Sequence, residues 1–480
     1  MPDAALVRYN LVLAPFYIIK PGGVFMKEIN KEIFRAYDIR GVVDKDFDAE
    51  WVETLGKACG TYFNQLGLDQ AVVGHDCRHS SPEYQARVVK GLQSTGVDVV
   101  FLNMVATPLF YFAVKKLGRK AGVMVTASHN PSDFNGFKVW AGDSTIHSEE
   151  IQKVYEIMKK GEFSVGKGIS SELDIEPEYL SYLKEQGPIA GPVKVVVDGG
   201  NGSAGLVCVK ALENAGASVM PIYCEPDGSF PNHHPDPTVM KNNADLIAAV
   251  KREKAQLGIG LDGDGDRLGV VDEKGNMIYG DQLLAIYARE VLKDNPGTSV
   301  IGEVKCSHLL FNDIRKHGGR PIMWKTGHSL IKAKMKEEKS LLAGEMSGHM
   351  FFADRYYGFD DAIYAAQRLV EIAAGKKDTP VSRYLEDWPK TFNTPELRME
   401  CPEKIKFRVV EMAQDYFREK YDIVDVDGVR ITFEDGWALL RASNTQPVLV
   451  LRFEAESESR LAEFREIIET PLKTWIKELS

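Results

Sequence analysis

The stretch VKVVVDGGNGSAG, Val193 to Gly205, decides how this chain is expected to fold. Its first half is rich in valine, whose β-branched side chain favours an extended strand. Asp198 then opens a glycine-rich turn, and an amphipathic pattern over Leu206 to Ala215 predicts a helix. A buried strand that leads through a tight turn into a helix is the first part of a βαβ unit.

The same order of elements recurs on both sides of this stretch. The first unit has strands AVVGHD and VDVVFLNMV around a helix that begins near Ser80 or Ser81. The second continues through ASVMPIYC, a helix over Ala244 to Lys254 and LGIGLD, and the third runs from TSVIGEV through RPIMWKT to LLAGEMSGH. Three such units in series predict three consecutive α/β domains, each with a mixed sheet sandwiched by helices.

After about Lys390 the pattern changes, because short strands follow one another without intervening helices. A helix over Lys404 to Tyr421 precedes IVDVDG, VRITFED, WALLRAS and VLVLRFEAE, and a last helix closes the chain. Closely spaced strands favour an antiparallel sheet, so the C-terminal domain is predicted to be α+β. The predicted boundaries are 26–173, 174–276, 277–388 and 389–480, and residues 1–25 are treated as an N-terminal extension or a misassigned start before Met26.

Composition limits the possible partners. The chain has 480 residues, 27% of them charged, with a net charge of −10 and a pI near 5.6. Such an acidic balance argues against nucleic acid and membrane surfaces, so a small molecule is the expected partner. The six cysteines form no CxxC pair, which predicts neither a zinc site nor a disulfide framework and fits a cytoplasmic protein.

LGIGLDGDGDRLGVV contains the most specific local signal. Asp262, Asp264 and Asp266 alternate with glycines, so three carboxylates can converge on a hard cation such as Mg²⁺. Glu273 stands at the twelfth position of an EF-hand loop, but Arg267 replaces the turn glycine and strands flank the loop. An acidic turn without metal is the alternative, and Arg267 could contribute positive charge towards a phosphate.

Ser128 follows the apolar strand in AGVMVTASHNPSDFNGFKVW, at the strand end where open α/β sheets place their ligands. It is a candidate nucleophile, although a serine here could also simply close a turn. GEMSGH carries Glu345, Ser347 and His349, a mixture of donors and acceptors that suits a polyol.

RASNT lies between two strands and offers a guanidinium, two hydroxyls and an amide to a dianion, although the same residues also favour a hairpin turn. The residues concerned are Arg441, Ser443, Asn444 and Thr445. Further loop residues that could take part are Arg40, Lys138, Lys305 and His328, each of which could equally be an ordinary solvated or packed residue.

Taken together, TASHNP, DGDGDR, GEMSGH and RASNT occur in the order and spacing of the α-D-phosphohexomutase superfamily. From about Glu32 onward the chain resembles that superfamily, and in particular its bacterial phosphomannomutase/phosphoglucomutase branch. GEMSGH in place of the GEQSGH typical of phosphoglucosamine mutases favours hexose over amino-sugar phosphates. One departure is GHDCRHSSPE, where relatives usually show G-R-D-x-R, so the role of Arg78 is left open.

The resemblance implies a role for each matched position. Ser128 would carry a phosphoryl group, and Asp262, Asp264 and Asp266 would hold one Mg²⁺ ion beside it. Substrate steering or proton transfer would involve Tyr37, Arg40, Lys138, Lys305 and His328. For general acid and base chemistry near Ser128, the candidates are Lys138 and His129. Glu345, Ser347 and His349 would bind sugar hydroxyls, and Arg441, Ser443, Asn444 and Thr445 would bind the phosphate that is not reacting.

The implied reaction interconverts hexose 1-phosphate and hexose 6-phosphate, of mannose or glucose, through a hexose 1,6-bisphosphate. Phosphoglucosamine mutase, a metal-dependent sugar phosphatase and a non-catalytic sugar-phosphate binder are the alternatives. The expected assembly is a monomer or a weak homo-oligomer.

Overall fold

The computed structural model describes residues 17–19, 25–27, 29–443 and 447–480. Residues 17–19 and 25–27 form strands β1 (Tyr17–Ile19) and β2 (Phe25–Lys27), which pair antiparallel. The remaining described chain forms three α/β domains and a C-terminal α+β domain, which confirms the predicted fold class.

The first domain has a mixed sheet in the order β3-β7-β6-β4-β5-β9, with β8 paired to β7. Its elements are β3 (Ile39–Val42), α1 (Ala49–Gln65), β4 (Gln70–His75), α2 (Ser81–Gln93), β5 (Asp98–Met104), α3 (Thr107–Lys116), β6 (Ala121–Val125), β7 (Phe134–Ala141), β8 (Ser144–Thr145), α4 (Glu149–Lys160) and β9 (Ser170–Glu172). A short 3-10 helix at Lys31–Ile33 precedes them. Strands β4, β5 and β6 are parallel, whereas β7 runs antiparallel to β6.

The second domain repeats this arrangement with the order β11-β10-β12-β13-β14. It comprises α5 (Glu176–Lys184), β10 (Lys194–Asp198), α6 (Gly205–Ala215), β11 (Ser218–Ile222), a 3-10 helix at Met240–Asn243, α7 (Ala244–Glu253), β12 (Leu257–Leu261), β13 (Leu268–Asp272) and β14 (Met277–Ile278). Here β10, β11 and β12 are parallel and β13 is antiparallel to β12.

The third domain repeats it again, with the order β16-β15-β17-β18. Its elements are α8 (Gly280–Asp294), β15 (Ser299–Glu303), α9 (His308–Lys316), β16 (Arg320–Trp324), α10 (His328–Glu338), β17 (Leu342–Gly344), β18 (Met350–Phe352), α11 (Ala362–Gly375) and a 3-10 helix at Val381–Arg383. Strand β18 is again the antiparallel one.

The C-terminal domain has an entirely antiparallel sheet in the order β19-β24-β23-β22-β21, with β20 also paired to β24. It contains β19 (Phe392–Asn393), β20 (Leu397–Glu400), α12 (Lys406–Arg418), β21 (Asp422–Val424), β22 (Val429–Phe433), β23 (Gly436–Ala442), β24 (Val448–Ala455) and α13 (Glu458–Leu479). Val409 on α12 and Ile468 on α13 pack into one core with Leu451 of the sheet.

A single large hydrophobic cluster runs through the first three domains and includes Phe110, Ile259 and Tyr364. These domains therefore share buried contacts, which holds their loops in a constant relation to one another. Among the described residues, no helix combines the length and the apolar character needed to cross a membrane.

Candidate active site

Three of the predicted motifs occupy the same topological position in the three repeated domains. Each joins the third parallel strand of the shared pattern to the antiparallel strand that follows. Residues 126–133 connect β6 to β7, residues 262–267 connect β12 to β13, and residues 345–349 connect β17 to β18. Because ligands of such sheets bind at the carboxyl ends of parallel strands, the repetition brings three chemically different loops to one cleft.

Ser128 lies at the start of its loop in a left-handed conformation, with φ 51°. Its Oγ donates to Asp262 Oδ2 at 2.7 Å and lies 3.1 Å from His129 Nδ1. The backbone N–H of Ser128 donates to Thr126 Oγ1 at 2.9 Å. The two loops also touch through their backbones, since a Cβ on Gly263 would lie 2.4 Å from the Ser128 carbonyl oxygen. The structure thus places the candidate nucleophile directly against the aspartate cluster of another domain.

Arg78 holds this serine loop in place. Its guanidinium is completely buried and donates to four backbone carbonyls at 2.5 to 3.0 Å, those of Ser128, Asn130 and Pro131 in the loop and that of Phe134 at the start of β7. Nε donates to Asp76 at 3.1 Å, and Asp76 in turn accepts from the Ser81 hydroxyl at 2.6 Å. The residue that the unusual GHDCRHSSPE stretch left undecided is therefore the main support of the Ser128 loop.

Asp262, Asp264 and Asp266 form a buried cluster whose ligand oxygens all lie within 4.8 Å of one another. Asp262 Oδ1 accepts the backbone N–H groups of Gly265, Asp266 and Arg267 at 2.9 to 3.2 Å, which fixes the loop. Oδ1 of Asp264 is buried without a hydrogen-bond partner, and the contact of Asp266 Oδ1 is His349 Nε2 at 3.3 Å. Burial and the two neighbouring carboxylates raise the pKa of Asp262 well above its usual value, so this donor set fits a divalent cation.

Lys138 provides the opposite charge inside the cluster. Its ammonium donates to Asp264 Oδ2 at 2.7 Å and also to Asp266 Oδ2. Burial alone would lower the pKa of Lys138, but these two carboxylates raise it well above its usual value. Burial would likewise raise the pKa of Asp266, yet Lys138 and His349 hold it well below normal. The lysine is therefore a permanent cation in this environment.

His349 connects the third loop to the aspartate cluster. Its Nδ1 lies 2.8 Å from Glu345 Oε2 and its Nε2 lies 3.3 Å from Asp266 Oδ1. Burial would lower the pKa of His349, but Asp266 and Glu345 raise it to about 9. The backbones of the two loops are also joined, because the N–H of Leu268 donates to the Gly348 carbonyl at 3.0 Å. Ser347 completes this group through a 2.9 Å contact with His349 Nδ1.

A second buried group lies behind the histidines. Asp360 Oδ1 accepts from Lys332 Nζ at 2.9 Å, while its Oδ2 lies 3.6 Å from His328 Nδ1 and 3.9 Å from His349 Nε2. Burial and the nearby cations Lys332 and Lys138 hold the pKa of His328 well below its usual value. Neither Asp360 nor Lys332 belongs to a recognisable motif.

The remaining predicted residues surround this centre. Arg40 donates to Asn130 Oδ1 at 2.8 Å, beside the serine loop. The Tyr37 hydroxyl donates to the Thr326 carbonyl at 2.8 Å, and its ring stands edge-on to His328. Lys305 lies in the loop after β15, 3.8 Å from Glu303 and 3.7 Å from Glu396.

Arg441 is the last residue but one of β23 and is linked to the rest of the site through Asp427. Its Nε donates to Asp427 Oδ2 at 3.1 Å, and that same oxygen accepts the backbone N–H of Thr326 at 3.1 Å. Ser443 is buried beside it. Asn444 and Thr445, the other two predicted residues of this motif, lie outside the described residues.

Sequence reasoning left the role of Arg78 open and missed five further residues that the geometry brings into the site: Glu303, Thr326, Lys332, Asp360 and Asp427. A DxR pattern was available for Arg78, but its partners begin 50 residues further along the chain. The other five lie at a strand end, in loops and inside α10 without a repeated spacing, so no local signal distinguishes them from ordinary polar residues.

Comparison with known proteins agrees with this architecture. Four family models match in order: phosphoglucomutase/phosphomannomutase alpha/beta/alpha domain I at residues 31–165, domain II at 177–275, domain III at 279–392 and the C-terminal domain at 396–470. A phosphomannomutase/phosphoglucomutase of Pseudomonas aeruginosa is 47% identical over 443 residues, covering 92% of this chain and 95% of the relative. A phosphoglucomutase of Neisseria gonorrhoeae is 42% identical over 454 residues, covering 93% and 98%.

A solved structure supports the same family and fold. A crystal structure of a phosphoglucomutase/phosphomannomutase family protein from Burkholderia thailandensis superposes with a TM-score of 0.88 at 40% identity, covering 93% of this chain and 98% of that one.

Fold and site together define an α-D-phosphohexomutase, an isomerase that acts as an intramolecular phosphotransferase on hexose phosphates. Within that superfamily the chain belongs to the phosphoglucomutase/phosphomannomutase family.

Proposed function

We propose that the protein interconverts hexose 1-phosphate and hexose 6-phosphate, of mannose, glucose or both, through a phosphorylated Ser128 and a hexose 1,6-bisphosphate. The observation that carries this proposal is the 2.7 Å hydrogen bond between Ser128 Oγ and Asp262, which joins loops of two domains inside a buried carboxylate cluster. Phosphoryl transfer needs mainly positioning and charge neutralisation, and this arrangement supplies both.

We assign one Mg²⁺ ion to Asp262, Asp264 and Asp266. The fit rests on the all-oxygen donor set, the Asp264 oxygen buried without a partner and the raised pKa of Asp262. When bound, the ion would neutralise charge on the phosphoryl group that is transferred. Lys138 and Arg267 add positive charge from the protein itself, since Lys138 contacts two of these aspartates and Arg267 lies 4.0 Å from the third.

Protons at the serine can be handled by His129. Burial, together with the positive charges of Arg267 and Arg40, lowers the pKa of His129 well below its usual value, so the ring is neutral at physiological pH. Its Nδ1 is 3.1 Å from Ser128 Oγ, close enough to take the proton when the serine attacks and to return it when the phosphoryl group leaves. Lys138 stays protonated and therefore acts as a cation, not as a base.

The sugar and its second phosphate are assigned to the opposite side of the cleft. Glu345, Ser347 and His349 would bind ring hydroxyls, with Tyr37, Arg40, Lys305 and His328 steering the substrate. Arg441 and Ser443, with Asn444 and Thr445, would hold the phosphate that is not reacting. Because either end of the bisphosphate must face Ser128 in turn, this distant phosphate site has to accept both ends.

We place the domain boundaries at 173/174, 276/277 and 388/389, with the hinge of the last domain between Asp387 and Asn393. Asp387 is tied to Arg289 at 2.8 Å, and Trp388 Nε1 donates to Asp313 at 3.0 Å. The chain is therefore anchored to the third domain up to residue 388 and becomes exposed just afterwards. Such an anchored start followed by an exposed segment is suited to domain closure.

One assay tests the proposal against a metal-dependent phosphatase, a sugar-phosphate binder and a phosphoglucosamine mutase. Purified protein with Mg²⁺ is given mannose 1-phosphate, glucose 1-phosphate or glucosamine 1-phosphate, and a coupled enzyme reports the 6-phosphate. We expect mannose 6-phosphate or glucose 6-phosphate, and a phosphoserine at Ser128 by mass spectrometry. Release of inorganic phosphate without isomerisation, or turnover of glucosamine 1-phosphate alone, would contradict the proposal. The same proposal places the protein in the cytoplasm, where sugar phosphates are available.

A further inference from the structure

Glu303 is the last residue of β15 and is completely buried. Its Oε2 accepts the backbone N–H of Lys305 and the hydroxyl of Thr326, both at 2.8 Å. Its Oε1 accepts the backbone N–H of Met346 at 3.2 Å and lies 3.8 Å from the Lys305 ammonium. One carboxylate thus binds groups from three separate segments of the third domain.

These segments are the loops that follow the three parallel strands β15, β16 and β17. The first carries Lys305, the second leads into His328, and the third contains Glu345, Ser347 and His349. Every substrate-binding residue proposed on the third domain therefore lies within three positions of a direct Glu303 partner.

The same loops have additional links that start from Glu303's partners. Thr326 bonds to Tyr37 of the first domain through its carbonyl and to Asp427 of the last domain through its N–H. The next N–H, that of Gly327, donates to Glu345 Oε1 at 2.7 Å. Glu303 lies where these links cross, so a change in its hydrogen bonds would alter the spacing of groups from three domains.

Stability of the domain alone does not account for a carboxylate here. Removing a charge from water is unfavourable, and apolar residues of similar volume commonly replace buried charges without loss of stability. A carboxylate does offer two oxygens that accept several backbone N–H groups at fixed angles. A carboxylate at this position can therefore hold the three surrounding loops in a fixed relation to one another.

We propose that Glu303 is a positioning residue that sets the spacing of Lys305, His328 and the 345–349 loop, and so determines the affinity of the cleft for a hexose phosphate. The inference rests on the proposed function for the identity of the ligand. It concerns binding and alignment, because Glu303 itself lies behind the loops and reaches the cleft only through its partners.

The direct test is Glu303→Gln. The amide keeps the size of the side chain but has only one acceptor oxygen, so it cannot accept from Met346 on one side and from Lys305 and Thr326 on the other. We expect KM for mannose 1-phosphate or glucose 1-phosphate to rise on the order of 10- to 100-fold, as for an unpaired buried donor, with kcat changed by less than about 3-fold. Calorimetric titration of the same sugar phosphate should show the same factor in Kd.

Asp272→Asn is the matched control. Asp272 is a buried carboxylate that accepts the N–H groups of Lys274 and Asn276 at 2.9 and 2.8 Å, but it does so in the hairpin at the far end of β13. We expect this variant to lower the unfolding temperature and leave KM and Kd unchanged. An equal rise of KM in both variants would overturn the proposal.

A double-mutant cycle separates positioning from general damage. If Glu303 acts partly through Lys305, the combined effect of Glu303→Gln and Lys305→Met on Kd will be smaller than the product of the two single effects. A KM and Kd for Glu303→Gln within twofold of the wild type would overturn the inference.

If Glu303→Gln does not fold, Thr326→Val tests the inference instead, because it removes the hydroxyl that donates to Glu303 and leaves the carboxylate in place. A 3-fold or larger rise in Kd supports the proposal, and an unchanged Kd overturns it. Failure of the wild type to isomerise either sugar phosphate would contradict the proposed function alone, since the comparison of Kd values still tests Glu303.

Discussion

Replacement of Arg78 by methionine should disorder the loop that carries Ser128 while the rest of the protein stays folded. Methionine keeps the apolar stem but removes all five hydrogen bonds of the guanidinium, three to loop carbonyls, one to the Phe134 carbonyl at the start of β7 and one to Asp76. Leaving the buried Asp76 without its cation should by itself cost about 3 to 5 kcal/mol of unfolding free energy. Each unpaired carbonyl could add about 1 to 3 kcal/mol if it stayed dry, so we expect the loop to move and become hydrated instead.

This movement should reduce catalysis as well as stability. Ser128 has a φ of 51°, a conformation that costs a non-glycine residue about 1 to 3 kcal/mol and persists only where the surroundings enforce it. Without Arg78 the serine can relax, which separates its Oγ from Asp262. A displacement of about 1 Å at the reacting atom commonly costs on the order of 100-fold in turnover.

Urea unfolding and steady-state isomerisation measure the two effects separately. We expect Arg78→Met to lose about 3 to 5 kcal/mol of unfolding free energy and at least on the order of 100-fold in kcat. The matched control is Arg87→Met on the next helix, because Arg87 is 35% exposed and pairs with Glu53 at the surface, where a salt bridge contributes about 0 to 1 kcal/mol. If Arg78→Met unfolds at the same urea concentration as the wild type and keeps its kcat, the loop is held by other contacts and the reasoning is wrong.

Three further changes have defined outcomes. Lys138→Met removes the cation between the aspartates, so we expect the chelator-treated variant to be less stable than the wild type. Mg²⁺ should then raise the unfolding temperature more in the variant than in the wild type. An equal rise in both proteins would argue against Lys138 and Mg²⁺ neutralising the same carboxylates. Burial raises the pKa of Asp361 to about 6 in the folded protein, so the protonated carboxyl stabilises the fold only at low pH. As the pH rises from 4 to 6, the unfolding free energy of the wild type should fall by up to about 3 kcal/mol relative to that of Asp361→Asn. Urea titrations in which the two proteins show the same dependence of unfolding free energy on pH would contradict this. Gly263→Ala places a Cβ 2.4 Å from the Ser128 carbonyl oxygen and should reduce kcat on the order of 100-fold, whereas Gly375→Ala, with no atom within 4 Å of the added Cβ, should leave kcat unchanged in the same assay.

Regular secondary structure was predictable because its causes are local. The predicted helix over Ala244 to Lys254 is observed as Ala244–Glu253, and the predicted strand LGIGLD as Leu257–Leu261. Both predictions depend on apolar spacing within ten or so residues, which packing against the neighbouring layer does not change.

Predictions about individual side chains were less secure. Ser80 does precede α2, but its hydroxyl makes no capping hydrogen bond and instead accepts from Asn135 at 2.8 Å. Ser81 likewise donates to Asp76. A hydroxyl near a helix start has several possible partners, and distant parts of the chain determined which of them it meets.

By itself, the sequence determined the repeated strand, turn and helix order, the antiparallel last domain and the residue types available for a cation, a sugar and a phosphate. These features follow from spacing and composition within short segments. Only the tertiary structure decided that the loops of three sheets meet at one cleft, that Arg78 supports the loop of Ser128 and that Glu303 joins three loops of the third domain. Such contacts join residues 23 to 157 positions apart, whose approach is a property of the packed domains and of no local pattern.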